Sequence, residues 1–144
     1  MEIEKTRNRR QPAEEIVKNM ISERRQLLAL SLQVSNIDNN EADSSDRDLL
    51  EEFCQVLVDY IAAGHFGLYS RIAEGKERRK SVAETASKLY PRISDTTEIA
   101  LAFSEKYNSD NDIKDFSQLQ KDLSYLIENL TTRIEMEDKL IEAL

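Results

Sequence analysis

The chain is expected to fold as an all-α protein, an up-down-type four-helix bundle with the third helix split near Pro91. Three observations carry that expectation. Apolar residues recur three or four apart along most of the chain, the period of a helix face rather than of a strand. Only two prolines and three glycines occur in 144 residues, too few for a turn-rich sheet fold. Charged residues make up 33% of the chain, enough to coat the solvated sides of helices. A chain of this length can bury one real core. No long glycine-rich or proline-rich linker and no internal repeat divides it. Residues 12–144 therefore read as one helical-bundle domain behind a basic flexible tail, residues 1–11.

The tail, MEIEKTRNRRQ, sets Lys5, Arg7, Arg9 and Arg10 against Glu2 and Glu4, and reads as frayed. The first helix is expected over 12–36. Pro12 suits its first turn, and Glu14 and Glu15 lie near the positive end of its dipole. Its apolar stripe is Ile16, Val17, Met20, Leu27, Leu28 and Val34, with Arg24 in the middle and Leu30 and Leu32 off it. Residues 37–46, IDNNEADSSD, favour turns over helix interiors.

The central helix is expected over 47–75, RDLLEEFCQVLVDYIAAGHFGLYSRIAEG. It starts at a Ser45–Asp48 capping arrangement and ends at Gly75. Leu50, Phe53, Leu57, Tyr60, Ile61, Leu68 and Ile72 form an apolar arc over about half the helical wheel, so several neighbours should touch it. Gly64 lies inside that arc. A missing side chain there would admit another backbone and offset the roughly 1 kcal/mol cost of helical glycine. After the basic KERRK turn at 76–80, Ser81 with Glu84 reads as a capping box for a short helix to Tyr90. Pro91 should break it, and a second piece runs from Ile93 to Tyr107. NSDND at 108–112 is a loop. The last helix, 113–144, carries Phe116, Leu119, Leu123, Ile127, Leu130, Ile134 and Ile141, with Glu137 and Asp138 interrupting the stripe.

The outward face of the central helix departs from a solvated pattern. Glu52, Gln55, Asp59, Ala62, Phe66, Ser70 and Ala73 form one line. A docking surface would use such a line: one aromatic anchor, small residues around it and a carboxylate to select a cation. A neighbouring helix covering Phe66 would give the same pattern. From Asp38 to Asp59 there are eight acidic residues against Arg47 alone, which gathers negative charge on one loop and half a helix.

Arg24, Arg71, Glu137 and Asp138 occupy core-facing angles on three helices. Buried charges must be paired, so these residues are expected to form a salt-bridge layer joined by Tyr60 and His65.

Several chemistries are excluded. A net charge of −8 and a pI near 4.8 argue against general electrostatic binding to nucleic acid, while a basic protein surface would suit the chain. One cysteine allows no internal disulfide and no CxxC motif, and fits a reducing cytoplasm. No apolar run approaches the roughly 20 residues that span a bilayer, and residues 1–11 lack a signal-peptide centre. A di-iron bundle needs several histidines, and His65 is the only one. No catalytic residue, cofactor or metal is expected. Cys54 and His65 lie about 16 Å apart along one helix, too far for a nucleophile and its base. A histidine-phosphotransfer bundle would place Lys and Gly three and four residues after the histidine, where this chain has Leu68 and Tyr69.

The segment LLEEFCQVLVDYIAAGHFGLYSRI at 49–72 resembles the signature of the regulator-of-sigma-D family, Rsd and AlgQ. LYPRI at 89–93 is similar to the AlgQ branch, RIEMEDKLIEAL at 133–144 to the family's last helix, and EIVKNMISERRQLLAL at 15–30 to its first. The family run DFCQxLVDYxxxGHFxxYE is matched with Glu52 and Ser70 as departures. The resemblance implies a cytoplasmic anti-sigma factor, not an enzyme, that binds region 4 of the primary sigma factor of RNA polymerase. Region 4 holds the helix-turn-helix for the −35 element and a surface that docks on core polymerase. Asp59 is then expected to pair with a basic group of sigma. Phe66, Ala62 and Tyr69 would supply apolar contact and Glu52 further charge, with His65 and Tyr60 positioning the surface. Arg24, Arg71, Glu137 and Asp138 would support it from inside. The resemblance leaves open a second protein partner, such as a phosphocarrier or a stringent-response enzyme.

Overall fold

The computed structural model describes residues 2–39, 41–69, 80–108 and 116–143. Four α-helices follow one another: α1 (Glu2–Val34), α2 (Ser44–Ala63), α3 (Lys80–Tyr107) and α4 (Leu119–Ala143). A π-helical turn, Gly64–Tyr69, continues α2. There is no strand among the described residues, and the all-α bundle expected from the sequence is the fold found. α2 packs against α1 on one side and α3 on the other, α3 packs against α4, and α1 touches α4 at only a few positions. No helix among the described residues is long and apolar enough to cross a membrane.

The element boundaries differ from the expected ones for local reasons. α1 is helical from Glu2 rather than from Pro12. α2 is capped by Asp43, not Ser45. The Asp46 backbone N–H donates to Asp43 Oδ1 at 2.9 Å, and the Asp43 backbone N–H donates to Asp46 Oδ2 at 3.0 Å. Two aspartates thus make the reciprocal box usually written with Ser and Glu. The expected split near Pro91 is absent, because α3 runs unbroken through that residue. Pro91 and Ser87, whose carbonyl loses its donor, are both exposed, so water can satisfy what the proline removes. α4 begins at Leu119, after a turn in which the Leu119 N–H donates to the Phe116 carbonyl at 3.0 Å. Gly75, the expected helix end, lies outside the described residues.

Apolar packing divides into two clusters. The larger joins Leu27, Leu30 and Val34 of α1 to Phe53, Leu57 and Tyr60 of α2, Phe103 of α3 and Leu126 and Leu130 of α4. Phe53 and Phe103 meet edge to face at 5.8 Å. The smaller cluster holds Met20, Leu68, Tyr69, Val82, Ile93 and Leu140. Leu30, off the expected stripe, is buried, whereas Leu28, on it, is 40% exposed. In α4 the buried line includes Leu119, Leu126, Arg133 and Leu140, and Ile127, Ile134 and Ile141 pack only at its margin.

Candidate functional site

The outward flank of α2 is open. Glu52, Gln55 and Asp59 are exposed, Ala62 is half-buried, and beyond the α-helix His65 and Phe66 are exposed. Among the described residues no neighbouring element covers Phe66, which is 73% exposed. His65 stands edge-on to it, with ring centroids 4.9 Å apart and planes 83° apart. Ser70, Arg71 and Ala73 lie outside the described residues. The flank therefore presents an aromatic ring one to two turns beyond Asp59, with small side chains between.

Its electrostatics are one-sided. The Gln55 amide donates to Asp59 Oδ1 at 3.0 Å, and no ion pair reaches Asp59 among the described residues. Glu23 of α1 faces the same region. Burial, and then the Asp59 charge, hold the Glu23 carboxyl above its ordinary value, and its Oε2 is buried without a hydrogen-bond partner among the described residues. Two carboxylates on adjacent helices thus repel each other at the edge of the flank. A cation inserted between them would relieve both costs. Glu23 was not anticipated, because its i, i+4 neighbours on α1 give no sign that it faces Asp59.

Beneath the flank lies a polar layer between the two apolar clusters, with Glu137 at its centre. Glu137 is 0% exposed. Tyr60 donates a short hydrogen bond to its Oε1, and Tyr69 donates to Oε2 at 3.4 Å. Burial, and then the Glu137 charge, push both tyrosine hydroxyls well above the usual phenol value, so both stay protonated donors. Arg133 Nε donates to Oε2 at 3.2 Å, and Arg24 Nη2 lies 3.6 Å from Oε1. Arg24 also donates to the Tyr60 hydroxyl at 3.1 Å and to Asp138 Oδ1 at 2.9 Å. Burial alone would lower the Arg24 pKa; its bonds to Tyr60 and Asp138 outweigh that and raise it.

Arg24, Glu137, Asp138 and Tyr60 therefore meet, and Arg71 falls outside the described residues. His65, expected to join this layer, is exposed instead, with its ring beside Phe66. Tyr69, expected as an apolar contact beside Phe66, is 5% exposed and points inward. Arg133 is the residue sequence reasoning missed. It is 0% exposed and joins α4 to α3 through the Ile93 carbonyl at 3.3 Å, Thr96 Oγ1 at 3.2 Å and Thr97 Oγ1 at 2.6 Å. The signal for it was heptad spacing: Leu119, Leu126, Arg133 and Leu140 fall seven apart.

Gly64 has an ordinary right-handed conformation, φ −62 and ψ −47, so its role is space. A Cβ there would meet Glu137 Oε2 at 2.8 Å and Arg133 Nη2 at 3.4 Å. The close neighbour is the buried ion pair rather than the backbone expected from the sequence.

The chemistry on offer is recognition. Burial pushes the Cys54 thiol up to about 12, which makes it a poor nucleophile. His65 is exposed as a phosphate acceptor would be, yet the positions three and four residues on, Leu68 and Tyr69, are buried and offer no cation. Among the described residues no group of three or more His, Cys, Asp or Glu side chains could hold a metal ion.

The family model described as "Regulator of RNA polymerase sigma(70) subunit, Rsd/AlgQ" matches residues 1–144. The chain is 32% identical over 134 residues to the regulator of sigma D of Yersinia enterocolitica serotype O:8 / biotype 1B, covering 89% of this chain and 79% of that protein. It is 38% identical over 96 residues to the regulator of sigma D of Yersinia pseudotuberculosis serotype O:1b, covering 65% of this chain and 56% of the relative. The regulator of sigma D of Shigella boydii serotype 4 is 38% identical over 93 residues, 64% of this chain and 58% of its own. No solved structure matches the chain.

Proposed function

The chain belongs to the Rsd/AlgQ family of regulators of the RNA polymerase sigma(70) subunit, and from that premise we propose that it is a cytoplasmic anti-sigma factor that binds region 4 of the primary sigma factor. Binding there would withhold region 4 from the −35 element and from core polymerase. The protein acts by occupancy, without catalysis.

The observation that carries this reading is the open flank of α2 with Phe66 at its end and Asp59 and Glu23 beside it. A helix-turn-helix that grips DNA phosphates is basic. An acidic, partly apolar surface complements such a module and would compete with its nucleic acid. In the proposed complex, Phe66 is the apolar anchor and Ala62 lets the partner approach closely. Asp59 and Glu23 share a sigma cation, Glu52 adds charge at the rim, and His65 braces the Phe66 ring. Tyr60, Arg24, Glu137 and Asp138 hold the helices from beneath and touch no partner.

A pull-down from the host's own lysate tests the reading. Recovery of the primary sigma factor without core polymerase supports it. Recovery of a phosphocarrier or a stringent-response enzyme as the main partner, with no sigma factor, overturns it in favour of an adaptor.

A further inference from the structure

We infer that Glu137, through Tyr69, is a positioning residue for Phe66: it holds the chain in the π turn that fixes the direction of the exposed Phe66 ring. This deepens the proposed function and rests on it for the link to sigma binding.

The argument starts from register. In an α-helix, residues five apart lie about 140° apart around the axis, because each residue turns about 100°. Gly64 and Tyr69 are five apart, yet both face the same carboxylate oxygen. A Cβ on Gly64 would stand 2.8 Å from Glu137 Oε2, and the Tyr69 hydroxyl donates to that atom at 3.4 Å. The same Gly64 position lies 3.6 Å from Tyr69 Cε2. Bonding of the i→i+5 kind brings two such residues onto one face. Gly64–Tyr69 is the π-helical segment. Its first residue has no side chain where Glu137 must sit, and its last sends a hydroxyl to Glu137. Phe66, between them, is left pointing away from the bundle.

The carboxylate is itself fixed. Arg133 Nε and the Tyr60 hydroxyl bond its two oxygens, and the Arg133 guanidinium lies 5.8 Å from the Tyr69 ring centroid. A wide turn gives up regular α-helical bonding and persists where its surroundings over-determine it. Here the determinant is a polar anchor on α4, opposite the surface it shapes. Relaxing the turn to α-helix would rotate Tyr69 off Glu137 and change the direction in which the Phe66 and His65 rings leave the helix.

The test compares Tyr69→Phe with Tyr60→Phe. Each removes one hydroxyl from Glu137, but only Tyr69 belongs to the turn. His65 is the sole histidine and lies against the Phe66 ring, so its imidazole proton resonances report the turn directly. Tyr69→Phe should shift those resonances and weaken binding of a purified sigma region 4 fragment about fivefold, within the range for coupled neighbours. Tyr60→Phe should leave the resonances in place. In the Phe66→Ala background, Tyr69→Phe should cost no further affinity. Unmoved His65 resonances in Tyr69→Phe, or equal shifts in both variants, overturn the inference. If Tyr69→Phe fails to fold, the wild-type protein decides: a nuclear Overhauser contact between the Tyr69 ring and the Gly64 α-protons supports the π register, and its absence overturns it. Failure of the wild-type protein to bind region 4 would remove the sigma reading and leave the resonance test standing.

Discussion

Gly64 on α2 and Glu137 on α4 approach so closely that a Cβ on the glycine would lie 2.8 Å from the Glu137 carboxylate. The glycine is right-handed, so alanine would gain helix propensity of about 1 kcal/mol. The same methyl would push on a carboxylate that is fully buried and held by Arg133 and two tyrosines. Overpacking of this kind typically costs about 1–3 kcal/mol. Gly64→Ala should therefore lower stability in urea denaturation despite the better helix former.

Arg133 and Glu137 should show the largest single-site effects in the bundle. Both are fully buried, and each is the other's ion-pair partner. Removing Glu137 leaves the Arg133 guanidinium buried without a counter-charge, and removing Arg133 leaves Glu137 with Arg24 alone at 3.6 Å; breaking a buried pair in this way costs about 3–5 kcal/mol. Arg133→Leu and Glu137→Leu should each unfold at much lower denaturant than wild type. A double variant should lose less than the sum of the two, which a double-mutant cycle measures.

The bundle was legible because its stripes are long and its breakers few. Leu50, Phe53, Leu57 and Tyr60 fall where a 3.6-residue period puts them, and all four are buried. The polar layer was partly legible, since Arg24, Glu137 and Asp138 interrupt apolar stripes. Arg133 stayed hidden because an arginine beside Thr131 and Thr132 looks solvated, and only its neighbours seven residues away reveal the buried line. The π turn was not legible. A 100° wheel carried through Gly64 still places Leu68 inside and Phe66 outside, but Tyr69 is buried and His65 exposed against expectation.

Glu23 links stability to pH and to binding. Its carboxyl is held above the ordinary value first by burial and then by Asp59. A raised folded-state pKa contributes stability that is fully present below the unfolded-state value and is lost as pH rises through the folded one. At neutral pH Glu23 therefore costs stability. Glu23→Gln should stabilise the protein by roughly a few tenths of a kcal/mol at pH 7 after solvent screening, with the gain shrinking as the medium is acidified. The same variant should bind region 4 more weakly, and on binding the wild-type Glu23 pKa should fall as a cation arrives.

Asp122 behaves in the opposite sense. Burial would raise its pKa, but hydrogen bonds from Lys106 at 2.7 Å and the Tyr107 hydroxyl at 2.5 Å outweigh that and lower it. Its contribution is present above the unfolded-state pKa and is lost as pH falls through the folded-state value. Asp122→Asn should cost about 1 kcal/mol at neutral pH. Denaturation curves of variant and wild type should converge in acid.

Asp59→Ala provides the most direct measurement. Titration calorimetry of the variant and the wild type against purified sigma region 4, with circular dichroism on both, separates recognition from folding. Asp59 is exposed and bonded only to Gln55 among the described residues, so helicity should be unchanged. Affinity should fall by about 2 kcal/mol, the size of an interface hot spot, and the wild-type affinity should weaken as salt is added. An Asp59→Ala protein that binds region 4 as tightly as the wild type would contradict the assignment of this flank as the sigma-binding surface.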